Sequence, residues 1–172
     1  MGYHGDFSNK RRECGVDSEK QRRVLHELQK SGEYIFHGSS VPGIGELEPR
    51  QPYDYTGGEK KPHGNPSVVG TPYADIAIFR SLVYTDSTGF GSDDEGNLSF
   101  SASKIAMNDA REKVGYVYVL PRRDFRPMRG GEMEMDWRAE LSQTPARIVK
   151  VTFDDLPDGI QMIESKKPAS ES

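Results

Sequence analysis

The stretch Gly115-Tyr116-Val117-Tyr118-Val119-Leu120, closed by Pro121, constrains the fold more than any other part of this chain. It is rich in aromatic and β-branched residues, which favour an extended backbone. Both alternating faces carry apolar side chains, so the strand belongs at the centre of a sheet rather than at a wet edge. Proline supplies no ladder donor and ends the pairing.

A second strand is read at Glu33-Tyr34-Ile35-Phe36-His37-Gly38-Ser39-Ser40. Extended backbone puts Tyr34 and Phe36 on one face and Ile35 and His37 on the other. His37 then stands at the sheet rim, within reach of a ligand, and Gly38 behind it allows close approach to the backbone. Ser67-Val68-Val69-Gly70 reads as a short buried strand. Ala146–Phe153 reads as another, with Arg147, Val149, Val151 and Phe153 on one face, and Ile160–Ile163 as a brief pairing segment. Glu132–Trp137 alternates acidic and apolar residues, so as a strand it gathers Glu132, Glu134 and Asp136 on one side.

Helices are expected at Glu19–Lys30, where Val24, Leu25 and Leu28 form a narrow stripe before Gly32, and after Thr71. At the second site Thr71 as cap, Pro72 at the first helical position and Asp75 in the first turn agree on a start. Ile76, Phe79 and Val83 continue it with helical spacing. Residues 101–113 suggest a short helix, whereas 51–66 and 85–97 read as loops. Strands dominate after residue 110 and helices flank the early part, so the class is α+β with a mixed or antiparallel sheet. The expected organisation is a basic N-terminal arm and helix (1–32), one domain (33–163) and a tail (164–172).

The net charge of −4 and pI near 5.6 give no general reason to expect a nucleic-acid partner. The basic cluster Lys10-Arg11-Arg12 and Lys20-Gln21-Arg22-Arg23 reads as a solvated arm. One cysteine, Cys14, excludes an intrachain disulfide and any cysteine-based metal site. No run approaches the roughly 20 apolar residues that span a membrane. The first residues show no apolar signal run, and Asp6 stands where a myristoylation motif wants Ser or Thr, so a cytoplasmic setting is expected.

Taken in order, Phe36-His37-Gly38-Ser39, Leu47-Glu48-Pro49-Arg50, the stretch Val68–Phe79, Gly115–Pro121 with Phe125, and Asp136-Trp137-Arg138-Ala139-Glu140 before Pro145–Val149 resemble the ADP-ribosyltransferase superfamily. Within its His-Tyr-acid branch, they are most similar to the small bacterial enzymes that ADP-ribosylate rifampin. The resemblance covers roughly residues 33–153 and implies a split sheet whose cleft grips NAD in a bent shape. It assigns His37 to the adenosine ribose and Gly38 to the nicotinamide amide, with Ser39 nearby. Arg50 is of the right type for the pyrophosphate, since its planar fork suits phosphate oxygens.

Two departures stand out. The family stacks a tyrosine of its second strand on the nicotinamide; here Val69 holds that place, with Tyr73 four residues on. An aliphatic side chain packs against the ring but supplies no aromatic stacking. The rifampin-type enzymes also carry an aspartate soon after the central strand, and Phe125-Arg126-Pro127-Met128-Arg129 contains no acid. The chemistry needs a carboxylate at the ribose 2′-hydroxyl to stabilise an oxocarbenium-like centre. Glu134, in a Glu-x-Glu spacing used by another branch, and Glu140 are the substitutes. The resemblance therefore leads to ADP-ribosyl transfer from NAD to an unidentified acceptor, a small molecule or a macromolecule. The rivals are a catalytically inactive nucleotide-binding module of the same fold, or an RNA 2′-phosphotransfer reaction drawing on Arg50, Arg122, Arg123 and Arg138.

Overall fold

The computed structural model describes residues 21–51, 53–56, 58–62, 64–83, 88–128 and 135–164. In chain order the elements are α1 (21–31), β1 (Tyr34–Ser39), β2 (Tyr53–Thr56), β3 (Glu59–Pro62), β4 (Val68–Gly70), α2 (Ala74–Leu82), β5 (Thr88–Ser92), β6 (Leu98–Ser103), α3 (Lys104–Ala110), β7 (Val114–Pro121), β8 (Arg126–Pro127), β9 (Trp137–Ala139), β10 (Arg147–Thr152) and β11 (Gln161–Ile163). Short 3₁₀ turns lie at Arg122–Asp124 and Phe153–Asp155.

The apolar strand β7 is the middle of a three-stranded sheet, antiparallel to β1 on one side and to β10 on the other. Its two faces feed two cores. Phe36, Val117, Val119, Val149 and Val151 point towards α2, where Ile76, Phe79 and Leu82 meet them. Ile35, Tyr118 and Leu120 point the other way, onto Val68, Trp137 and Ala139 of a second sheet ordered β4-β9-β8. The two sheets meet where Phe36 and Thr71 exchange backbone hydrogen bonds of 2.8 and 2.9 Å. A further sheet, β11-β6-β5, mixes parallel and antiparallel pairing. The class is α+β, with α2 covering the central sheet.

The helix presses hard on that sheet. A Cβ built on Gly38 of β1 would lie 2.0 Å from the carbonyl oxygen of Ala77, and one on Gly115 of β7 would lie 2.1 Å from Ser81 Oγ. Glycine at both places lets α2 approach at backbone contact. In the other direction α2 is held by α1. Leu25 is fully buried in the same core. Arg22 donates from Nε and Nη2 to the two carboxylate oxygens of Asp75, both at 3.1 Å, and His26 Nε2 lies 2.8 Å from Oδ1. Burial alone would raise the Asp75 carboxyl, but these bonds outweigh it and hold the group below its ordinary value.

Several expectations are corrected. The helix after Thr71 begins at Ala74, because Thr71 is held by the bridge to Phe36 and its Oγ1 accepts from the Tyr73 amide. The open Ala74 amide is capped instead by the side chain of Gln29 on α1, at 2.8 Å. Within 51–66, expected as loop, the strands β2 and β3 pair antiparallel, Thr56 opposite Glu59. Within 85–97 it forms β5, and 101–103 end β6, so the following helix starts only at Lys104, where Ser103 Oγ caps the Ala106 amide. Glu132 to Glu134, the arm before residue 21 and the tail from 165 lie outside the described residues.

Candidate functional site

β1 leaves the central sheet beside β4, and a cleft of about 800 Å³ opens there. His37 stands on its wall. Across the ladder His37 faces Tyr118, whose ring meets the imidazole edge-on with centroids 6.3 Å apart. The hydroxyl of Tyr118 donates to the Val41 carbonyl and accepts from the Ile44 amide, which ties down the link that follows β1.

Among the described residues the imidazole makes one hydrogen bond, from Nδ1 to the Val69 carbonyl at 2.7 Å, which orients it. A carbonyl only accepts, so Nδ1 carries the proton. Burial is the main cause that lowers the pKa of His37, and the positive charges of Arg80 and Arg50 add to it; the Val69 bond opposes them only in part. A neutral ring with its proton on Nδ1 presents Nε2 as a bare acceptor. It suits a ligand hydroxyl.

The other walls supply charge and rings. Arg80 of α2, Lys113 and Arg138 of β9 bring cations, and Phe90 of β5 and Tyr53 of β2 bring aromatic faces. Arg80 is fixed on two sides. Its Nη2 lies 2.7 Å from Asp136 Oδ1, and its guanidinium sits 4.5 Å over the Phe90 ring. Asp136 is the one carboxylate found in the cleft among the described residues, and its side chain is 42% exposed. Among the described residues three cations stand against one acid, so these walls are positive although the chain as a whole is acidic.

The candidate residues divide. His37, Gly38, Ser39 and Val69 line the cleft together. Val69 contributes its carbonyl to hold His37, a backbone role that no side-chain pattern predicts. Gly38 is there, but the space a side chain would need is filled by α2, so packing alone accounts for the glycine. Arg50 is not among the lining residues, its backbone paired to Ser67 in an isolated bridge, although its charge reaches His37. Tyr73 precedes α2 and packs against the main core. Glu140 accepts from Asn65 Nδ2 at 2.9 Å and lines a neighbouring hollow rather than the cleft. Glu134 lies outside the described residues.

Arg80, Phe90, Lys113 and Asp136 were not singled out as site residues. Arg80 carries a signal: it is the one cation of a largely apolar α2, in its last turn. Phe90 carried none, being set between glycines in a segment that looked like loop. Among the described residues no group of three or more His, Cys, Asp or Glu stands close enough to hold a metal ion. No helix among them is long and apolar enough to cross a membrane. No family model, curated protein or solved structure matches the chain.

Proposed function

We propose that this protein binds NAD in the cleft beside His37 and transfers its ADP-ribose to an acceptor. The observation that carries this reading is the bare Nε2 of a neutral imidazole, held at the mouth of a positive cleft by the Val69 carbonyl. A ribose hydroxyl donates to such a nitrogen, and Arg138 and Lys113 suit the pyrophosphate. Phe90 or Tyr53 would stand in for the family tyrosine that Val69 replaces, by offering a face to a flat ring. Asp136 and Glu134 are the candidates for the acid that stabilises the oxocarbenium-like centre as nicotinamide leaves. A cytoplasmic setting goes with this reading.

Calorimetric titration with NAD tests the binding. Saturable heat that is lost in His37→Ala supports it, whereas equal binding by both proteins removes its basis. One observation favours the inactive module: Asp136, the described carboxylate in the cleft, is already tied to Arg80 at 2.7 Å. Nicotinamide release separates the two readings. Turnover that falls in Asp136→Asn or Glu134→Gln, but not in Glu140→Gln, indicates an enzyme; binding without any release indicates the module.

A further inference from the structure

On the far side of Arg138 lies a second hollow of about 490 Å³, formed where the 3₁₀ turn Arg122–Asp124 leads into β8 and β9. Arg138 lines both the hollow and the His37 cleft. Two more arginines, Arg123 and Arg126, complete its basic wall. Arg126 Nη1 donates to the carbonyls of Phe125 and Arg123 at 2.8 and 3.0 Å, which fixes one nitrogen and leaves the rest of the fork for a ligand. The Arg123 side chain makes no hydrogen bond or ion pair among the described residues.

The acids of the hollow are occupied by amides. Glu140 accepts from Asn65, and Asp124 accepts from Gln143 Nε2 at 3.3 Å. Neither neutralises Arg123 or Arg126 through an ion pair. Among the described residues the guanidiniums of Arg123 and Arg126 are thus exposed at the rim with no carboxylate partner. Arginine forks collect the several oxygens of one phosphate better than a single carboxylate, which offers only two.

We infer that this hollow is a separate subsite for a phosphate-bearing ligand, gripped by Arg123 and Arg126 and bounded by Arg138. The site shares Arg138 with the NAD reading but is distinguished from it by Arg123 and Arg126, neither of which lines the His37 cleft.

The single tryptophan reports on it. Trp137 precedes Arg138 on β9, is buried, and lies under the Arg122 guanidinium at 4.3 Å. Inorganic pyrophosphate titrated at low salt is expected to change Trp137 fluorescence saturably. The apparent dissociation constant should rise at least tenfold in Arg123→Glu and at least fivefold in Arg126→Ala, with His37→Ala unchanged. Because the Arg123 side chain makes no such contact, its replacement leaves folding intact, which a thermal melt checks. An unsaturable response, or binding unaltered by Arg123→Glu, overturns the assignment. So does binding lost in His37→Ala, which would put the pyrophosphate in the first cleft. NAD calorimetry on Arg123→Glu keeps failure here distinct from failure of the NAD reading.

Discussion

Gly38→Ala is the sharpest test of how the site is built. If the glycine served only to let a ligand approach, an added methyl would leave the free protein as stable as before. The structure requires otherwise. The new Cβ would sit 2.0 Å from the Ala77 carbonyl, 2.9 Å from its carbon and 3.1 Å from the Ser81 amide nitrogen, all backbone atoms of a buried helix. Ordinary contact begins at 3.4 Å, so α2 and β1 must part by about 1.4 Å. That loosens Ile76, Phe79 and Leu82 from the sheet in a core packed without slack. Overpacking of this kind costs about 3 kcal/mol, at the upper end of its usual range, because the obstacle cannot rotate away. For a chain of this size that corresponds to a melting point lower by about 6–12 °C. Urea denaturation with no ligand present is the assay, and Gly45→Ala is the control, since a Cβ there meets nothing within 4 Å and the backbone carries no positive φ. A Gly38→Ala protein within about 0.5 kcal/mol of the parent would refute the reasoning, because that is the range of substitutions that touch nothing.

Other outcomes follow from the same geometry. Gln29→Ala leaves the Ala74 amide uncapped and should cost about 1 kcal/mol, measured by urea unfolding. Asp75→Asn breaks the clamp between α1 and α2 and should cost about 1–2 kcal/mol at neutral pH, a figure kept low because Arg22 and His26 are partly exposed. Asp75 titrates below its ordinary value when folded, so its contribution is complete above about pH 4 and lost as pH falls through the folded value. Acid unfolding of Asp75→Asn should lack that component. His37 is also shifted down, so the unfolded chain takes up this proton first; below about pH 6.5 that uptake erodes stability, and His37→Gln should flatten the slope in that range.

What could be read from sequence was what repeats along an element. The alternation in β1 and β7 correctly separated Phe36 from Ile35 and His37, and the two faces became the two cores. The helical spacing of Ile76, Phe79 and Val83 places α2 on the sheet, although its start lies two residues later than the sequence signals. There a cap came from Gln29, 45 residues away, and no local pattern carries such a contact. The site was legible by half. His37 announced itself by its place at a strand end, and it does line a cleft. Its partners are set by tertiary approach: a Val69 carbonyl, a helix-borne Arg80, and Phe90 from a strand that looked like loop. Arg50, Tyr73 and Glu140 are not among the residues that line that cleft, because residue type alone does not say which way the chain turns.

The Gln29 cap and the Asp75 clamp reach further than stability. They fasten α1 to the first turn of α2; one turn on, α2 leans its backbone on Gly38, immediately next to the imidazole. The imidazole is thus braced from behind by α2, itself held by a helix that precedes the whole sheet in the chain. Anything that prised that leading helix away would slacken the brace, and grip on a ligand would weaken without a single lining residue being touched.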